Sequence, residues 1–257
     1  MHSALWRSEL DLTNKRVAVV GTGASAIQLV PRIADQVADL KVFQRSAPWV
    51  FPKSETNTAR WSQRLFKALP ASQPLIRQGL YWFMEYTGSG LFRDNMIRKI
   101  TARMAEDYLQ AQVPDPALRA QLRPNYTVGC KRRLPSDDYY PTFLKPQVSL
   151  VTTGMERLSP KGIVDASGVE HDLDVVIYAT GFHVADFTKR NMEVRGLNGR
   201  ELFVDWTHKG AEAYYGTTVS GYPGLFYILG PNTGLGHSSV LHMVESQINY
   251  LLAYIKQ

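Results

Sequence analysis

The sequence holds a single cysteine, Cys130, so it can form no intramolecular disulfide, no Cys-x-x-Cys redox pair and no cysteine zinc site. That excludes a disulfide-stapled secreted scaffold and predicts a reducing, cytoplasmic setting. Long apolar runs are also missing. Residues 17–20 and 251–255 are far too short to cross a bilayer, and the first residues carry no charged-then-apolar leader, so no membrane span is expected. No block of Lys and Arg and no aromatic-basic stripe suits a nucleic-acid groove. There is no G-x-S-x-G elbow for a hydrolase, and no His spacing that makes a metal site. What is present is ordinary for a globular protein: 44% hydrophobic and 20% charged residues, enough in 257 residues to bury a real core in one large or two modest domains. The net charge of +6 leaves two readings open, a solvated basic surface or a preference for an anionic ligand.

The first clear element is residues 16–20, a β-branched run of the kind found in strands buried on both faces. It runs directly into Gly21-Thr-Gly-Ala-Ser-Ala-Ile-Gln28. A helix should follow, with Ile27, Val30, Ile33, Ala34 and Val37 on one face. Residues 40–43 read as a second strand, so residues 16–44 form one βαβ unit. Residues 53–123 alternate aromatics and Met with Arg and Lys at helical spacing, and read as a helical insertion beside a ligand site. Its aromatics Trp61, Trp82, Phe83 and Tyr86 are expected to pack rather than to touch substrate. Strands are expected again at 126–129, 148–151, 162–166 and 173–178, with a small β meander around 154–168. A further strand at 225–229, a Gly-rich loop at 230–239 and an amphipathic helix at about 240–255 close the sequence.

The glycine run carries the chemistry. It follows a buried strand and opens a helix, the context a dinucleotide site requires. Gly21 permits the tight turn, Gly23 lets backbone approach a pyrophosphate, and Ala26 stands where helix and strand pack closely. Amides at the helix start, from Ala24 onward, and the positive end of its dipole favour phosphate. Thr22, Ser25 and Gln28 can add side-chain hydrogen bonds. The end of the second strand selects the nucleotide. An acid there would accept from a ribose hydroxyl, but this sequence has Phe43-Gln-Arg-Ser46. A carboxylate repels a 2′-phosphate, whereas Arg45 can grip it and Ser46 can donate to it. The expected coenzyme is NADP.

Several stretches together resemble the Baeyer–Villiger and related flavin-containing monooxygenases. His2-Ser-Ala-Leu-Trp6 is similar to the last part of that family's fingerprint, with Arg7 in place of the usual Pro or Asp. Residues 21–28 resemble its NADP-binding glycine motif, and residues 44–52 its 2′-phosphate loop. Gly129-Cys-Lys-Arg-Arg133 with Asp138-Tyr-Tyr140 resembles the segment that carries the active-site arginine. Residues 174–182 resemble the strand and A-T-G-F turn that return to the flavin domain, and residues 230–239 the loop near the flavin ring. The resemblance implies NADP and FAD as cofactors and an α/β fold: a Rossmann-like NADP-binding domain with a helical insertion, plus a partial second dinucleotide-binding domain.

It implies residues 1–13 as a linker remnant of the flavin domain, 14–183 as the NADP-binding domain, and 184–257 as the C-terminal part of the FAD-binding domain. It also implies hydride transfer from NADPH to FAD, reaction of the reduced flavin with O₂, oxygen transfer to a ketone or a soft heteroatom, and loss of water. Arg132 falls at the catalytic position, where a cation must meet negative charge developing on oxygen, and a guanidinium has no proton to lose. Lys131 by the same alignment reaches the 2′-phosphate. His2 and Trp6 are expected to serve structure and domain motion, and His183 and His242 to be structural. For His237 a solvent-facing or capping role stands level with lining a pocket, and Ser238 or Ser239 is a candidate helix cap.

The family carries two glycine motifs, and this sequence has one, assigned to NADP. The FAD adenine and pyrophosphate sites are therefore expected outside it. A fragment, a degenerate product, a shortened gene product and half of a split enzyme completed by a second chain remain open, as does a non-catalytic NADP-binding module. An NADP-dependent disulfide reductase is excluded for want of a cysteine pair.

Overall fold

Val17, Ala18 and Val19 sit fully buried at the centre of a parallel sheet, because both faces of that strand are covered. The computed structural model describes residues 1–53, 58–182 and 192–256, and these divide into two compact units, Met1–Pro70 with Ser89–Phe182, and Ala71–Gly88 with His183–Gln257.

In the first unit, β1 (Arg16–Val20), β2 (Asp39–Phe43), β5 (Val148–Val151) and β9 (Val175–Tyr178) form a four-stranded sheet in the order β5-β2-β1-β9. All three pairings are parallel, with Val20 opposite Phe43 on one side and Tyr178 on the other. The side chains obey the period of two. Val17, Val19, Leu40, Val42 and Ile177 face α1 (Ala24–Ile33), which buries Ala26, Ile27, Val30 and Ile33 against them. Each fully buried Val or Ile contributes roughly 1.5–3 kcal/mol. Ala18 and Phe43 face the other way, onto Ile163 and Leu173. That layer comes from an antiparallel meander of β6 (Met155–Ser159), β7 (Gly162–Asp165) and β8 (Glu170–Asp172). Asp174 ties the sheet at its starting edge, accepting from Arg16 N at 2.8 Å and from Arg16 Nη2 at 2.8 Å. The Arg16 guanidinium and amide hold its carboxyl down, at about 2.

The helical expectation for 53–123 corresponds to α2 (Arg60–Ala68), α3 (Ser72–Phe92), α4 (Met96–Gln112) and α5 (Pro116–Leu122). Asn95 caps α4, accepting from Arg98 N, and Asp115 caps α5, accepting from Ala117 N and Leu118 N, with Pro116 at its first position. Two residues each, β3 (Val50–Phe51) and β4 (Leu134–Pro135), pair in parallel, and the short α6 (Tyr139–Thr142) follows. Met1 and His2 add to the sheet beside β9, with Tyr178 N donating to Met1 O at 2.8 Å.

In the second unit, α7 (Leu202–Lys209) packs Leu202, Phe203 and Trp206 against Tyr222. The final helix α8 (Val240–Ile255) matches the expected span. Its buried Gln247 accepts from Leu229 N at 2.9 Å and donates to Tyr215 O at 3.0 Å, pinning two loops.

Three expectations fail. Residues 126–129 form no strand: Cys130 N donates to Thr127 O, closing a turn instead. Residues 225–229 form bends with a single bridge from Phe226 to Thr218, because Leu229 takes φ +56°. Trp61, Trp82, Phe83 and Tyr86 are 62–70% exposed rather than buried. An apolar helix face is buried only where another layer lies against it, and α2, which carries Trp61, buries no residue at all. His183 lies outside the described residues. Among those described, no helix is long and apolar enough to cross a membrane.

Candidate functional site

Strand order reverses direction at β1, with β2 and β5 on one side and β9 on the other. In open α/β sheets such a switch point leaves a crevice beyond the strand ends where ligands bind. Gly21 lies at that end with φ +115°, and a Cβ on it would strike the Ala179 carbonyl oxygen. Only glycine is accommodated there. Gly23 stands at the N-cap of α1 with no side-chain cap, and the space where its Cβ would project is open. The first amides of the helix therefore meet no side-chain acceptor at Gly23. Ala26 is fully buried against the sheet, as its small size allows.

Thr22 and Gln28 have internal partners. Thr22 Oγ1 donates to Ser46 O at 2.9 Å, tying the glycine turn to the end of β2. Gln28 Nε2 donates to Ala24 O at 2.7 Å. Ser25 is half-buried and Ala24 exposed.

Beyond β2 the structure brings together residues far apart in sequence. Lys131 Nζ donates to Ser46 Oγ at 2.7 Å, and the same ammonium lies 4.4 Å from the centre of the Tyr126 ring. Arg45 is exposed, and among the described residues no carboxylate pairs with it or with Lys131. The β3–β4 pair fixes this meeting. Leu134 N donates to Trp49 O, Ser136 N donates to Phe51 O, and Trp49 Nε1 donates to Tyr126 O at 2.8 Å. Sequence reading missed Tyr126 and Trp49. Trp49 lies inside the quoted loop, and Tyr126 five residues before Lys131, but neither spacing signals the contact.

Arg132 is exposed and makes no hydrogen bond or ion pair among the described residues. Its neighbour Arg133 is half-buried, 5.9 Å from the Phe51 ring, and burial lowers its pKa from the ordinary value. Behind them Tyr108 Oη donates to Ser136 O at 2.9 Å, and burial with the nearby Asp137 charge pushes its phenol up to about 12.

Of the remaining residues, His2 Nδ1 accepts from Ala4 N, and its ring meets Phe182 edge-on at 5.7 Å. Trp6 is exposed. His237 is held against α3: its Nε2 lies 3.1 Å from Glu85 Oε1, and its ring abuts Gly88. His242 stacks on Tyr81 at 4.6 Å. Ser239 occupies the N-cap of α8 without a side-chain capping bond. Pro231, Asn232, Thr233 and Leu235 of the Gly-rich loop line a cleft of about 480 Å³ with Tyr215 and Gln247.

A parallel sheet switching direction over a glycine turn, with a basic end to its second strand, defines a Rossmann-like dinucleotide-binding unit. No protein-family model matches the chain. Two curated proteins named Baeyer-Villiger monooxygenase do. The one from Pseudomonas aeruginosa is 44% identical over 255 residues, 99% of this chain and 48% of that protein. The one from Streptomyces coelicolor is 41% identical over 257 residues, all of this chain and 49% of that protein. A solved steroid monooxygenase bound to NADP is 27% identical with a TM-score of 0.79, covering 99% of this chain and 56% of its own. A polycyclic ketone monooxygenase from Thermothelomyces thermophila shares the fold at a TM-score of 0.81 and 23% identity, covering 97% of this chain and 48% of its own. The chain is thus similar to the Baeyer–Villiger monooxygenases along its whole length. It spans about half the length of the curated relatives it matches.

Proposed function

We propose that this chain is the NADP-binding part of an NADPH- and FAD-dependent monooxygenase, which inserts one oxygen atom of O₂ into a ketone or adds it to a heteroatom. The observation that carries the reading is the meeting of Lys131 with Ser46, next to Arg45 in sequence, beside a glycine turn open at Gly23, with no carboxylate paired to either cation among the described residues. A dinucleotide fits this arrangement. The amides of Ala24, Ser25 and Ala26 at the α1 start hold the pyrophosphate, reached through the space over Gly23. Gly21 and Thr22 shape the turn, and Gln28 braces the first helical turn through Ala24 O. Arg45, Ser46 and Lys131 grip the 2′-phosphate.

When bound, the nicotinamide supplies a hydride, and the flavin supplies its acceptance and the reaction with O₂. Among the described residues there is no second glycine turn to cradle a flavin pyrophosphate. We assign that contact to residues outside this sequence, in a longer polypeptide or a second chain, and derive no step through it. Arg132 keeps a fixed positive charge for oxygen on the substrate to develop against. The single exposed thiol of Cys130 favours a reducing compartment, and we place the protein in the cytoplasm.

The test is to titrate NADPH and NADH into the purified protein, then add FAD and follow NADPH consumption with and without candidate ketones. Tighter NADPH binding and FAD-dependent consumption support the reading. NADPH binding without FAD reduction by this chain alone is what the reading expects while the flavin contact lies outside it. The same result with the longer polypeptide favours the non-catalytic module, and equal affinity for the two coenzymes defeats the NADP assignment.

A further inference from the structure

We propose that Tyr126 is a positioning residue that sets the preference for the 2′-phosphorylated coenzyme, by holding Lys131 at Ser46. The inference rests on the NADP reading above and adds a determinant to it.

An exposed lysine has a flexible four-carbon stem, and its ammonium ordinarily spends its time in water. Fixing it where a phosphate will arrive costs side-chain entropy, which must be met either before binding or during it. A carboxylate partner could fix it in advance, but would neutralise it and repel the phosphate. A ring face holds a cation through its quadrupole and leaves the full charge available. Lys131 has that second kind of holder: its Nζ lies 4.4 Å from the Tyr126 ring centre and 2.7 Å from Ser46 Oγ, and it pairs with no carboxylate among the described residues.

The backbone of Tyr126 is fixed. Its carbonyl accepts from Trp49 Nε1 at 2.8 Å. The following turn closes with Cys130 N donating to Thr127 O at 3.1 Å, and Val128 in that turn is buried. Ser46 is fixed from its other side, with Thr22 Oγ1 donating to its carbonyl. Ring, ammonium, hydroxyl and glycine turn therefore form one chain of contacts. The lysine side chain is the long, flexible group in it, and the ring is what restrains it.

The experiment compares adenosine 2′,5′-bisphosphate with adenosine 5′-monophosphate by calorimetric titration, so that the 2′-phosphate is the only difference and no turnover is read. In Tyr126→Leu the bisphosphate should bind roughly two- to tenfold more weakly while the monophosphate is unchanged. Tyr126→Phe, which keeps the ring, should stay within about twofold of the wild type. In a Lys131→Ala background Tyr126→Leu should cause no further loss, since the ring then has nothing to hold. Equal weakening of both ligands, an unchanged ratio in Tyr126→Leu, or the same loss without Lys131 would each overturn the proposal. A wild type that does not prefer the bisphosphate defeats the NADP reading instead, which separates the two failures. Should Tyr126→Leu not fold, the wild type still decides: the Lys131 Cε protons must show an upfield ring-current shift by NMR, and their absence overturns the proposal.

Discussion

Two residues outside the phosphate contacts carry more of the first unit than their size suggests. Gly21 combines a left-handed backbone with a neighbour that leaves no room for a methyl group. Gly21→Ala should therefore combine backbone strain with overpacking and lose about 2–4 kcal/mol in urea unfolding, whereas Gly23→Ala, with open space around it, should cost far less. Asp165 is the other. Its buried carboxylate accepts from Thr153 Oγ1, Ser167 N and Oγ and Val169 N, and lies 2.9 Å from His171 Nε2. The bonds from Ser167, then His171 and Thr153, hold its carboxyl well below the usual carboxylate range. A carboxylate depressed in the folded state stabilises the protein above its unfolded value of about 3.9, and loses that contribution as pH falls toward the folded value. Asp165→Asn should accordingly be less stable at neutral pH. Its urea midpoint should also fall less steeply than the wild type's between pH 5 and 3.

At the level of elements, β1, α1, β2 and α8 were readable because their signals are local: a buried β-branched run, or an apolar face repeating every three to four residues. The stretch at 126–129 misled because Tyr, Thr and Val favour strands, yet only Val128 is buried and a turn closes over it. Residues 225–229 misled in the same way, their apolar run ending in the left-handed Leu229. The pair β3 and β4 left no pattern, being two residues each. Yet they bring Lys131 to Ser46 across 85 positions of sequence, and for that meeting only the family resemblance gave a hint. The helix α8 illustrates what periodicity misses. Gln247 is polar on a helix that reads as apolar, and it is buried because two loop backbones need its amide. Gln247→Leu should strand Leu229 N and Tyr215 O and cost roughly 1–3 kcal/mol, measured as a lowered thermal midpoint. Gln247→Glu, which keeps one acceptor, should retain part of the bond to Leu229 N.

For the molecule as a whole, the net charge of +6 gives an anion a favourable approach, and the exposed cations Arg45 and Lys131 have no acidic partners among the described residues. Lys131 meets the neutral Ser46 hydroxyl and Tyr126 ring, so neither charge is neutralised among the described residues. A bound 2′-phosphorylated nucleotide would neutralise them. At a free concentration near a hundred times its dissociation constant it adds about 2.7 kcal/mol to stability, equivalent to a rise in melting midpoint of about 5–10 °C for a body of this size. NADP should produce that rise in differential scanning fluorimetry and NAD little of it, with the difference shrinking at high salt as the exposed charges are screened. Under the proposed reading, the uncompensated cations make the coenzyme a structural component of its own binding unit. The protein should be most vulnerable to proteolysis and heat during preparation in nucleotide-free buffer, and adenosine 2′,5′-bisphosphate should serve there as a preservative.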